Sequence, residues 1–152
     1  MNKKDLFSRQ NEETERLRKK FGDLLKGVRG TIEVGPGWIP LLEDLLGRLA
    51  ELSTTEEPIE ITCIKEKFAG LRVYLEAFES LDEVSTAILL AEIESYSTCE
   101  LCGATEEVAT CSIEGWLKTY CAACTKEEDG KPTKRIPVTL TRGLTTKVIK
   151  AG

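Results

Sequence analysis

The 152-residue chain contains no histidine. That absence removes the commonest general base near neutral pH, the Ser–His and Cys–His nucleophile systems, and every zinc site that needs an imidazole. No apolar run approaches the roughly 18 residues of a membrane span. The start, Met1-Asn2-Lys3-Lys4-Asp5, leads into charged sequence without the apolar stretch of a secretory signal. Internal repeats and low-complexity segments are also lacking. These absences predict a soluble, cytoplasmic protein with no membrane partner, and they weigh against an enzyme.

What is present is ordinary in bulk and uneven in detail. Apolar residues at 41% and charged residues at 31% suit a globular protein, and the chain is long enough to bury a core without obligatory cross-links. The net charge of −5 hides a pattern: residues 1–30 carry nine basic against five acidic residues, and residues 126–152 seven against three. Segment 31–125 therefore holds five basic and 18 acidic residues, a net of −13. Basic ends flanking an acidic body can serve partner binding or can be solvated faces.

Periodicity outlines the elements. Leu17, Phe21, Leu24, Leu25 and Val28 recur at three- and four-residue spacing and predict one helix over 6–28, its first half polar. Gly35-Pro36-Gly37 marks a turn. Trp38-Ile39-Pro40 opens a second helix, with Pro40 in the first turn, where its missing N–H costs nothing, and a face of Leu41, Leu42, Leu45, Leu46, Leu49 and Leu52. Alternation in 59–64 and 71–75 predicts a β-hairpin turning near Phe68-Ala69-Gly70. Ser80 and Glu83 form a capping box for a helix to about Tyr96, burying Val84, Ala87, Ile88, Ala91 and Ser95. Ile136–Leu140 and Thr145–Ile149 read as short strands, at an edge because of Pro137.

Four of the six cysteines fall in two tight pairs, C-x2-C-x18-C-x2-C, at Cys99, Cys102, Cys121 and Cys124. Two intervening residues let both thiolates of a pair reach one metal at about 2.3 Å, and Gly103 lets the chain turn beneath it. The spacing belongs to zinc ribbons and treble-clef-like knuckles. Four sulfurs close a tetrahedral shell, so the expected Zn²⁺ is structural and activates no water. A redox pair, two disulfides or an iron centre are the alternatives. Cys111 reads as a buried thiol, not a fifth ligand, and Cys63 as core.

Two further groups bear on binding. Lys65, Lys67 and Arg72 surround the predicted hairpin turn, a positive island that either contacts the phosphate of a nucleic acid or nucleotide or is a solvated tip. Trp116 and Tyr120 lead into the second cysteine pair. They form either an exposed aromatic platform or, as expected for a module with little core, packing against the domain. No acidic residue stands in the order that a restriction-type metal nuclease needs before Glu-x-Lys, and nothing gathers Glu60, Glu66 and Glu76 around a second metal.

Gly35-Pro36-Gly37-Trp38, Lys65 to Tyr74, Ala91-Glu92, Thr98-Cys99-Glu100-Leu101-Cys102-Gly103 and Gly115-Trp116 together resemble a family of small bacteriophage and prophage proteins. The resemblance spans about residues 35–124. It departs at Ala69, where the family has glycine, and at Val73, where it has an aromatic. It implies a phage setting and the zinc module, without an activity.

The expectation is an α+β fold: a helical and hairpin core over 1–97, a four-cysteine zinc ribbon over 98–125 and a basic tail over 126–152. The functional expectation is a non-enzymatic zinc-binding interaction protein and, on the resemblance, a phage accessory protein that binds and inhibits or redirects a host (defence) protein. The alternative is a nucleic-acid or nucleotide binder using Lys65, Lys67 and Arg72, with Trp116 a candidate contact for either. Overall acidity, with pI about 5.0, opposes nonspecific DNA affinity.

Overall fold

The computed structural model describes residues 2–76 and 82–133. Helix α1 (Lys3–Lys20) starts at Asn2, whose side chain accepts from the Asp5 amide at 2.9 Å, and carries Asp5 early and Arg18, Lys19 and Lys20 late, as the helix dipole favours. The helix expected over 6–28 breaks at Phe21, and a single turn, α2 (Gly22–Leu25), follows. The cause lies in the chain beyond. Arg18 donates to the carbonyls of Val28 at 2.9 Å and Gly30 at 2.5 Å, folding 26–30 back along α1. Thr14, buried on α1, then accepts from the Ile32 amide at 2.9 Å and donates to the Gln10 carbonyl, so its hydroxyl is satisfied.

A 3₁₀ turn (Pro36–Trp38) runs directly into α3 (Ile39–Leu52), and each begins with proline near its start. Leu41, Leu42, Leu45, Leu46 and Leu49 are buried as their spacing predicts, with Leu17, Leu25, Ile32, Trp38, Ile61, Ile64, Leu71 and Val84 in the same core. Strands β1 (Ile61–Lys67) and β2 (Gly70–Leu75) pair antiparallel with a bulge between Ile61 and Cys63. Their two-residue turn places Phe68 at φ 51° and Ala69 at φ 68°, the geometry that keeps hairpin twist right-handed but that glycine or asparagine adopts more readily.

Helix α4 (Asp82–Ser95) packs on α3 and on β2. Val84, Ala91 and Ser95 are buried and Ala87 and Ile88 half-buried, the stripe read from the sequence. Ser95 Oγ accepts from the Leu71 amide at 3.0 Å. Gly70 lies so close to Tyr96 that an added Cβ would sit 2.6 Å from its Cζ. The C-terminal third forms a second sheet, strand order β4-β3-β5, from β3 (Val108–Ile113), β4 (Trp116–Cys121) and β5 (Lys131–Pro132), with α5 (Ala122–Glu127) between β4 and β5. The fold is thus α+β, helices with small antiparallel sheets. Ser80 and the strands expected within 136–149 lie outside the described residues. No helix among the described residues is long and apolar enough to cross a membrane.

Candidate metal centre

The first cysteine pair sits in a turn whose own backbone fixes it. Gly103 N–H donates to Cys99 O at 2.9 Å and Cys99 N–H to Ala104 O at 2.8 Å, with Gly103 at φ 78°, where a side chain is strained. The second pair is delivered differently. Cys121 ends β4 and is the N-cap of α5, its sulfur accepting from the Cys124 amide at 3.4 Å, while Cys124 lies in the helix's first turn. The β3–β4 hairpin spans the interval and returns the chain to its start. Of the two arrangements the spacing allows, the module is the knuckle, hairpin and helix of the treble-clef-like kind.

All four sulfurs lie within 4.8 Å of one another, and Cys102 and Cys121 are 3.7 Å apart. A tetrahedral thiolate shell with metal–sulfur bonds of about 2.3 Å has edges of about 3.8 Å, so the set fits one metal ion. It is the one such cysteine grouping among the described residues. The Cys124 N–H holds the Cys121 thiol below its usual range, whereas at Cys102 the downward pull of the Ala104 N–H is outweighed by burial and by the neighbouring Cys99 and Cys121 thiols, which leave it above its usual range. Burial pushes the Cys124 thiol up, an effect that metal coordination reverses. Cys111 is buried in β3 beside the cluster and outside its ligand set; Cys63 is half-buried in β1.

The knuckle is bolted to the helical core. Gly37 N–H donates to Glu100 O at 2.7 Å, Gly35 N–H to Glu100 Oε1 at 3.2 Å, and Trp38 Nε1–H to Thr98 O at 2.7 Å. A Cβ on Gly37 would sit 2.5 Å from Gly103 N and closer still to the Cys99 carbonyl oxygen; one on Gly35 would sit 2.7 Å from Glu100 Cγ. The glycines of Gly35-Pro36-Gly37 are therefore there for close approach to the cysteine turn, a role that their sequence position alone did not show. The hint was their co-occurrence with Thr98 to Gly103 in the resemblance.

A second seam joins β4 to the β1–β2 turn. Thr119 Oγ1 donates to Ala69 O at 2.6 Å, Glu100 N–H to Thr119 O at 2.9 Å, and Lys118 pairs with Glu66 while lying 3.8 Å from Glu100 Oε2. Burial raises the Glu100 carboxyl to about 7 against the opposing charge of Lys118, and Oε2 is buried without a hydrogen bond. Burial also opposes the Lys118 charge, but Glu100 and Glu66 outweigh it and hold that ammonium above its usual range.

The sequence-predicted binding residues separate. Lys65 and Lys67 stay at the hairpin, over the rings of Tyr74 at 5.7 Å and Phe68 at 5.6 Å. Arg72, although the β1–β2 register sets it directly opposite Lys65, does not join them at the surface: α4 packs on β2 and covers it, leaving it 8% exposed and paired with Glu92, with Tyr96 Oη at 3.3 Å. Trp116, expected to pack, is 74% exposed at the turn end of the β3–β4 hairpin, beside Glu114-Gly115, while Tyr120 is buried. Set against protein-family models, curated proteins and solved structures, the chain matches none of them.

Proposed function

We propose that this chain is a non-enzymatic interaction protein whose four-cysteine module, closed by structural Zn²⁺, presents Trp116 to a partner protein. The observation that carries the reading is the set of four sulfurs within 4.8 Å of one another, tied through Glu100, Thr98 and Thr119 to the helical core. Cys99, Cys102, Cys121 and Cys124 would hold the ion. Zinc suits an all-thiolate tetrahedron, and when bound it supplies a link between the knuckle and α5, with no open position for substrate or water. Lack of histidine and a filled ligand shell both favour binding over catalysis.

Trp116 supports a protein partner. A tryptophan held at the tip of a hairpin braced by metal is a preorganised anchor of the kind that dominates protein interfaces. The resemblance to phage proteins points to a host protein, a defence component, as that partner. The phosphate-binding alternative is weakened because Arg72 is engaged by Glu92, which leaves two of its three cations, Lys65 and Lys67, at the hairpin.

The test has two arms. Elemental analysis of purified protein should find one zinc per chain, and Cys99→Ser should lose it. Tagged protein should retain a stoichiometric protein from nuclease-treated bacterial lysate, and Trp116→Ala should release it. Retention only of nuclease-sensitive material overturns the protein-partner reading, and full zinc in Cys99→Ser overturns the ligand set.

A further inference from the structure

A trough of about 420 Å³ runs between α3 and α4, on residues that contribute nothing to the metal module. Each helix offers it one stripe at three- and four-residue spacing: Leu41, Asp44, Leu45 and Arg48 from α3, Glu83, Ala87, Leu90 and Glu94 from α4. Ala87 and Ala91 make the α4 side shallow, and Leu41 and Leu45 supply an apolar wall, a shape into which the side-chain ridge of another helix fits. Leu90 stands 60% exposed at its edge, an apolar side chain that α4 does not need for its own packing.

The rim decides what fits. Asp44, Glu83 and Glu94 form no ion pair among the described residues, and Arg48, the one cation lining the trough, is already paired with Glu51 at 3.2 Å. Three uncompensated carboxylates around an apolar floor, on a body whose segment 31–125 carries −13, attract a cation-bearing apolar ligand and repel an acidic one.

We propose that the α3–α4 trough is a second docking surface, and that its occupant is a basic amphipathic helix of a partner protein. Leucine-type anchors at i, i+3, i+4 and i+7 lie on Leu41, Leu45, Ala87 and Leu90, while flanking lysines or arginines meet Asp44, Glu83 and Glu94. The surface is independent of Trp116, so each can be lost without the other.

The test uses full-length, zinc-loaded protein and a fluorescent synthetic peptide with leucines at that helical spacing and lysines elsewhere. Leu90→Ser, and separately the double variant Asp44→Lys/Glu94→Lys, should each weaken binding about tenfold or more, with unchanged thermal midpoints for the exposed changes. Phe7→Ser and Glu57→Lys, equally exposed but remote from the trough, should bind as wild type, as should Trp116→Ala. A peptide with glutamates in place of lysines should not bind. Binding that ignores Leu90→Ser, or that responds equally to Glu57→Lys, overturns the proposal. So does light scattering that shows a dimer dissociated by Leu90→Ser, since the occupant is then a second copy of this chain.

Discussion

Three glycine-to-alanine changes separate the docking of the cysteine turn from ordinary backbone effects. At Gly37 the new methyl meets Gly103 N at 2.5 Å and the Cys99 carbonyl oxygen closer still, both backbone atoms of the metal-binding turn, so no side chain can swing aside. Relief requires the Gly37–Glu100 hydrogen bond at 2.7 Å to open. Overpacking costs about 1–3 kcal/mol and a buried carbonyl left unpaired about 1–3 kcal/mol more, giving a loss of about 2–6 kcal/mol and a midpoint lowered by roughly 4–24 °C. At Gly47, within α3, a methyl meets nothing within 4 Å. There alanine should stabilise by about 0.5–1 kcal/mol through helix propensity. At Gly115, φ 87° with open space around it, alanine should cost about 1–2 kcal/mol from strain alone, with metal retained. Urea unfolding with zinc release read by a chromogenic chelator measures all three. A Gly37→Ala protein within about 0.5 kcal/mol of wild type, the range of neutral surface changes, would refute the docking argument. A Gly47→Ala protein as unstable as Gly37→Ala would do the same.

The other predictions concern charge and ligands. Cys99→Ser should fall below one zinc per chain by elemental analysis and expose 99–124 to proteolysis, whereas Cys63→Ser should keep its metal. Arg72→Ala leaves Glu92 largely buried without its cation and should cost about 3–5 kcal/mol in urea unfolding; a loss under about 1 kcal/mol, the worth of an exposed pair, contradicts the buried pair. Glu43 is held down at about 2 by hydrogen bonds from Arg16 and Lys20. Because its folded value lies below the unfolded one, its stabilisation is complete above about 4.5 and fades as pH falls towards 2. With both cations near half exposure, the effect is about 0.5–1 kcal/mol. The stability gap between wild type and Glu43→Gln should therefore shrink between pH 5 and pH 3, and a gap that widens rejects the assignment.

What the sequence displayed was whatever local spacing controls. The leucine face of α3, the hairpin of β1 and β2, the stripe of α4 and the paired cysteines all depend on neighbours within a few residues and stand where the spacing placed them, except that the bulge between Ile61 and Cys63 shifts the alternation of β1, burying Ile64 and leaving Cys63, expected in the core, half-buried. Long-range partners were hidden. The apolar period of α1 runs on past Phe21, and only the reach of Arg18 to Val28 and Gly30 reveals why the helix stops. Arg72 looks like a member of a basic turn until the packing of α4 on β2 sets Glu92 against it, a residue 20 positions away on another element. Trp116 and Tyr120 share one strand face, yet Tyr120 is covered at the cysteine end while Trp116, opposite Ile113 at the turn end, is exposed.

The composition of the module's interior explains why it should need a metal when the rest of the chain does not. Its buried set is Cys99, Cys111, Tyr120, Cys121 and Cys124, with Leu101, Ala104, Val108 and Ile113 only partly covered. Four of those five buried residues are cysteines, three of them ligand candidates, so little apolar surface remains to order two hairpin strands and a six-residue helix. The helical core has no such deficit, with Trp38 and more than a dozen aliphatic side chains buried. Stability must then flow outward from that core through Gly37, Trp38 and Ala69 and, with a metal held by the four sulfurs, inward through Cys99 and Cys121. Glu100 and Thr119 are where the two supports meet, since each bonds both the core and the other. Loss of either support therefore loosens the same seam, and the orientation of Trp116, carried on β4 three residues from Thr119, depends on both.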